Sequence, residues 1–267
     1  MPETAAEAIL EVSGLRKEFG ELVAVDDVSF SLAQAGSLAI VGESGSGKTT
    51  VAKMIVGLEQ PTAGTIVACG RERSRPARSV KERRLRAGQV QIVFQDPYTS
   101  LDPHQTVEAI LDEALRLQHG WPADRRRARV LELTEIVGLD ARQVRALPRA
   151  LSGGQRQRVA IARALAGEPR VLILDESVAA LDVSIQAQVL NLLADIRDET
   201  GVSYVLISHD LAVVRQLTDE VLVMHRGRVV ERGFTARVID DPREEYTQRL
   251  LASVPRPGWK PRRCDPL

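Results

Sequence analysis

The 267-residue chain carries 36 basic and 36 acidic side chains, so no overall field draws it toward nucleic acid or acidic lipid, and any such contact has to be local. With 44% hydrophobic and 27% charged residues it reads as globular, long enough for one large domain or for a main domain with a subdomain. Cys69 and Cys264 fit neither a disulfide framework nor paired zinc spacing, and no apolar run nears the roughly 20 residues that cross a bilayer; with no secretory signal at the start, the expectation is a soluble chain in a reducing compartment, held at any membrane by a partner.

In chain order, "ILEVSGL", "LVAVDDVSFSL" and "SLAIVG" alternate apolar and polar residues between Gly and Asp turns, which predicts strands and a β-rich edge. From Lys48 to about Leu58 the spacing turns helical and is closed by "EQPTAG". Between them, "GESGSGKT" fits G-x-x-x-x-G-K-[ST] in the setting the motif requires, after a strand and opening a helix. Gly42, Gly45 and Gly47 let backbone N–H groups turn inward around Glu43, Ser44 and Ser46 to cradle phosphate oxygens. Lys48 reaches the β/γ-phosphates, Thr49 can hold Mg²⁺, and Thr50 completes the set.

The arginine-dense stretch from Gly70 to Gly88 is either a solvated face or a local phosphate or nucleic-acid patch, and the former is expected. "VQIVF" reads as a buried strand and "DPYTSLDP" as a loop. From Thr106 to Val137 two amphipathic stretches predict a helical insertion, and the whole helical subdomain is expected over about 98–166. "LSGGQRQR" then opens a helix running through "VAIARALA" to Gly167 and Pro169. Its serine hydroxyl, exposed glycine N–H groups and helix start make a second anion site.

"VLILDE" is a fully apolar strand ending in Asp175, expected to hold Mg²⁺, and Glu176, placed to polarise an attacking water. "LISHD" ends a further strand at His209, which either contacts the γ-phosphate or merely caps the next helix. Helix 183–199, strand "SYVLIS", helix 210–217 and strands "EVLVMH" and "RVVERG" complete an α/β fold with a mostly parallel core sheet. The tail from residue 255 to 267 is proline-rich and aperiodic; it is either loosely packed or a membrane-surface contact through Trp259, Lys260, Arg262 and Arg263.

Taken together and in order, "GESGSGKT", Gln95 in "VFQDP", "LSGGQRQR", "VLILDE" and His209 resemble the ATP-binding subunit of an ATP-binding cassette (ABC) transporter, over about residues 9 to 254. "FQDPYTSLDP", "LDVSIQAQVLNLL", "ISHDLAVVR" and "YTQRLLASVP" are similar to the dipeptide, oligopeptide and nickel importer branch. The resemblance implies a P-loop NTPase cassette, with 1–254 as its ATP-binding domain, an antiparallel β edge and a helical subdomain. It also implies ATP and Mg²⁺ as ligands.

By the same resemblance Phe19 stacks on adenine, unless it is a core residue, and Gln95 contacts Mg²⁺ and the attacking water. Ser152, Gly153, Gly154 and Gln155 clasp the γ-phosphate of ATP bound on a second ATPase subunit. Asp182 is retained, although "SVAALD" departs from the family's usual Pro-Thr or Ala-Thr-Ser before Ala-Leu-Asp. The implied partners are a sister or identical ATPase subunit, membrane permeases and, indirectly, an extracytoplasmic solute-binding protein, with no nucleic acid. The implied location is peripheral, on the cytoplasmic face of the cell membrane. With one late cysteine, no iron–sulfur cluster is expected. Nickel import, a soluble ABC ATPase acting on DNA or ribosomes, and a regulatory subunit without useful turnover stay open at this point.

Overall fold

A computed structural model describes residues 8–96, 100–178 and 182–252. The tail with Trp259 and Cys264, part of the "DPYTSLDP" loop and part of "SVAALD" lie outside the described residues. The elements begin with β1 (Ala8–Phe19), β2 (Leu22–Ala33), β3 (Ser37–Val41), α1 (Lys48–Val56), β4 (Ala63–Ala68), β5 (Arg71–Glu72), α2 (Val80–Gln89) and β6 (Val90–Val93). Among the described residues four α-helices follow: α3 (Val107–Gln118), α4 (Ala123–Ile136), α5 (Ala141–Arg145) and α6 (Gly153–Leu165). The chain then alternates through β7 (Val171–Asp175), α7 (Val183–Thr200), β8 (Ser203–Ile207), α8 (Leu211–Leu217), β9 (Glu220–His225) and β10 (Arg228–Phe234). It closes with α9 (Thr235–Asp240) and α10 (Glu245–Ala252).

Two sheets result. One is antiparallel, in the order β2-β1-β4-β5; the other runs β10-β9-β3-β8-β7-β6, parallel throughout except for β10 at its edge. Strands β3, β7 and β8 are buried at every position, as continuous apolar runs require when both sheet faces are covered. On one face α1 is sandwiched between the sheets: Val51, Met54 and Ile55 pack with Val12 and Ile66 of the antiparallel sheet and with Ile40, Ile173 and Ile207 of the parallel one. On the other face Leu172, Leu174 and Leu206 share one continuous core with α3, α4, α6 and α7. The helical segment is therefore packed into the main core, and it has no separate one among the described residues.

Several details differ from the sequence reading. The predicted turn "EQPTAG" leads straight into β4, which adds a strand to the β1–β2 hairpin in register Val12↔Ile66. The arginine-dense stretch holds a helix, α2, capped by Ser79, whose Oγ accepts from Glu82 N at 3.1 Å. None of its residues is buried, so it is a solvated face as expected. Arg73 is the exception: it is buried, donates to the Ile55 and Arg86 carbonyls, and burial pulls its guanidinium down to about 10. No helix of the described residues is long and apolar enough to cross a membrane.

Candidate nucleotide site

The parallel register brings the predicted residues to one sheet edge. Val93, Leu174, Leu206 and Ala39 lie in one transverse row of β6, β7, β8 and β3. Within three residues past that row the four strands lead to Gln95, Glu176, His209 and Gly42. Ligands of open α/β sheets sit at this end, outside the carboxyl ends of the strands.

Gly42 (φ 152°) and Gly47 (φ 102°) occupy the region that favours glycine, and close approach adds to that demand. A Cβ on Gly42 would lie 2.2 Å from the Met224 carbonyl, and one on Gly47 would lie 2.5 Å from the Ala24 carbonyl. The loop is thus pressed against β9 on one side and the β1–β2 hairpin on the other. Ser46 Oγ is buried in the loop without a protein partner, while the Ser46 carbonyl accepts from Gly227 N. Glu43, Ser44 and Gly45 are exposed and Thr50 is half-buried.

Lys48, the first residue of α1, is 5% exposed, and its Nζ donates to the Gly42 and Glu43 carbonyls at 2.9 and 2.8 Å. Burial lowers its pKa, an effect that the Glu176 and Asp175 carboxylates oppose. Thr49 Oγ1 donates to Asp175 Oδ1 at 3.2 Å. Asp175 is buried, and desolvation raises its carboxyl above the ordinary 3.8. A buried carboxylate beside a hydroxyl oxygen is a pair of hard donors of the kind Mg²⁺ takes, and a cation there would relieve the desolvation.

Glu176 has φ 47°, in the left-handed region, and its N–H donates to the Ile207 carbonyl at 2.9 Å. Its carboxylate accepts from Gln95 Nε2 at 3.0 Å and lies 3.7 Å from His209 Nδ1. His209 is well exposed and caps nothing: Asp210 caps α8, accepting from Ala212 N and Val213 N. Phe19 is not in the core. It is 46% exposed at the tip of the hairpin whose second strand backs Gly47, with Lys17 Nζ 4.7 Å from its ring centre.

The "LSGGQ" segment forms a reciprocal cap on α6. Ser152 Oγ accepts from Gln155 N at 3.3 Å, and Gln155 Oε1 accepts from Ser152 N at 2.8 Å. Ser152 is exposed, and Gly153 and Gln155 are half-buried. Gly154 differs from the expectation of an exposed glycine: it is buried, and a Cβ there would lie 2.4 Å from Ile185 Cγ2 on α7. Its lack of a side chain serves the approach of two helices. Asp182 is exposed at the start of α7 and makes no side-chain cap.

A family model described as "ABC transporter" matches residues 25–179, more than half of the chain. The chain belongs to the ABC transporter family. It is an ATP-binding, ATP-hydrolysing cassette of that family. The chain is 45% identical to the dipeptide transport ATP-binding protein DppF of Haemophilus influenzae over 91% of its own length and 74% of that relative. It is 46% identical to DppF of Escherichia coli over 87% of its length and 69% of that relative. Among solved structures it is similar to a dimeric ATP-binding cassette, MJ0796, in a post-hydrolysis state bound to ADP and Pi (TM-score 0.76, 28% identity, 85% of this chain and 98% of that one). It also resembles cbiO1 from Clostridium perfringens, part of an ABC transporter complex (TM-score 0.79, 29% identity, 94% and 97%).

One set of residues at the loop of this cassette leaves no motif in the sequence. Tyr246 on α10 and the turn after His225 both touch the phosphate loop. Only the likeness of "YTQRLL" to one importer branch marked that helix, and it carried no role.

Proposed function

We propose that this chain is the ATPase subunit of an ABC importer of peptides. Two such subunits close on ATP, and hydrolysis with phosphate release reopens them, moving attached permeases between inward- and outward-facing states. The names of the relatives support peptides as the cargo class. Residues 1–254 would be the ATP-binding domain, with permeases docking at the loop from Asp96 to Pro103 and the neighbouring helical insertion from Thr106 to Val137, and the protein peripheral on the cytoplasmic face of the membrane.

In this reading the phosphates of ATP, the substrate, lie along the N–H groups of Ser44 to Thr50 at the start of α1, with Lys48 Nζ keeping the Gly42 carbonyl while it reaches the β/γ-phosphates. Thr49, Asp175 and Gln95 would hold Mg²⁺, which neutralises charge on the phosphate oxygens when bound. Glu176 accepts a proton from the attacking water, His209 faces the γ-phosphate and Phe19 stacks on adenine. Ser152, Gly153, Gly154 and Gln155 clasp the γ-phosphate of the partner's ATP, with Asp182 at the subunit junction. A solute-binding protein outside the membrane would deliver cargo to the permeases.

The observation that carries the catalytic assignment is Glu176, which Gln95 and His209 approach from either side, one residue beyond the Asp175–Thr49 pair. Glu176→Gln should keep ATP affinity and lower turnover by roughly 10²–10⁴-fold, the usual worth of a positioned base. Near-normal hydrolysis by this variant would remove Glu176 from the role. Peptide uptake by cells lacking the gene, restored by the wild-type chain and not by the variant, tests the cargo class.

A further inference from the structure

The last described helix reaches back to the phosphate loop. Tyr246 on α10 is 9% exposed, and its hydroxyl oxygen accepts a hydrogen bond from the Glu43 N–H at 3.2 Å, across 203 residues of sequence. Its ring is held by His225, the last residue of β9, with ring centres 3.9 Å apart and planes inclined by 37°.

The bonded N–H belongs to the peptide joining Gly42 to Glu43, and a trans peptide is a rigid plane whose C=O and N–H point in opposite directions. Holding the Glu43 N–H toward Tyr246 therefore aims the Gly42 carbonyl the other way, toward Lys48 Nζ, which it meets at 2.9 Å. Gly42 brings no side chain to brace this plane, so the hydrogen bonds at its two ends, to Tyr246 and to Lys48, hold its rotation. We infer that Tyr246 is a positioning residue for ATP: through the Gly42–Glu43 peptide it sets the place of the Lys48 ammonium, so the C-terminal helix is a working part of the nucleotide site. The inference rests on the ATP-binding role proposed for Lys48.

Tyr246→Phe keeps the ring against His225 and removes only the hydroxyl that accepts from Glu43 N–H. In the full-length chain, ATP affinity measured by titration with a fluorescent ATP analogue and competition by ATP should weaken about 3- to 10-fold, the worth of one net hydrogen bond. In the complete transporter KM for ATP should rise by a similar factor while kcat at saturating ATP changes less than twofold. Unchanged ATP affinity in Tyr246→Phe overturns the inference, even where the unfolding midpoint of the nucleotide-free protein falls, because a helix that only packs would move the midpoint alone. Lys48→Ala, titrated alongside, separates the two claims. If it also retains wild-type affinity, the ATP-binding role of Lys48 fails first; if it loses binding while Tyr246→Phe does not, only the role of Tyr246 fails.

Discussion

Replacing Gly154 by alanine puts one methyl group between α6 and α7, at the base of the "LSGGQ" cap. The new carbon would sit 2.4 Å from Ile185 Cγ2, against an ordinary carbon–carbon contact of about 3.5–4.0 Å, so one side must yield by more than an ångström. Ile185 cannot swing away cheaply, since a β-branched side chain in a helix has essentially one χ1 rotamer. The helices have to part, at the roughly 1–3 kcal/mol that overpacking costs. Alanine returns part of this, up to about 1 kcal/mol in a helix interior and less in the first turn. A net loss of about 1–2 kcal/mol lowers the unfolding midpoint by roughly 2–8 °C in a domain of this size. Thermal unfolding of the nucleotide-free protein, followed by circular dichroism, measures it. The stronger test is the sign in a second background: after Ile185→Ala the obstructing methyl is gone, and Gly154→Ala should become neutral or stabilising. A loss of the same size with and without Ile185 would refute the steric account.

Asp175→Asn should raise the unfolding midpoint of the nucleotide-free protein at neutral pH while removing Mg²⁺-dependent hydrolysis. Burial raises the folded-state pKa of this carboxyl, so the ionised form costs stability above that value; the advantage of asparagine is full there, shrinks as pH falls through it and is gone below the unfolded value near 3.8. A lowered midpoint at pH 7 would contradict this. Phe19→Ala removes an exposed ring, so the midpoint should shift little, whereas ATP affinity should fall about 2- to 10-fold if the ring stacks on the base. Equal affinity for the two proteins by calorimetric titration would take Phe19 out of the site.

The phosphate loop was legible because its physics is local: glycine spacing, a preceding apolar strand and a following helix lie within a dozen residues. Asp175, Glu176 and His209 were legible for a related reason, since an apolar run that ends in polar residues marks the carboxyl edge of a buried parallel strand. Helix α2 was not, because "VKERRLRAGQ" turns no apolar face to the core and so leaves no periodic trace. Gly154 was misread as exposed because its obstacle, Ile185, belongs to another helix 31 positions on, and nothing in "LSGGQ" says which of its glycines is pressed and which is open. Tyr246 is the extreme case. A single hydrogen bond spanning 203 residues has no signature in composition or period.

The loop's supports also have an order in time. The Ala24 carbonyl that backs Gly47 is made before the loop's own glycines. The Met224 carbonyl, the Gly227 N–H and the Tyr246 hydroxyl come only about 180 to 200 residues after the loop. A nascent chain halted before residue 246 holds the whole "GESGSGKT" motif but lacks the tether that orients its first peptide. Assembly of the site is thereby tied to synthesis through α10, about 200 residues beyond the loop it serves.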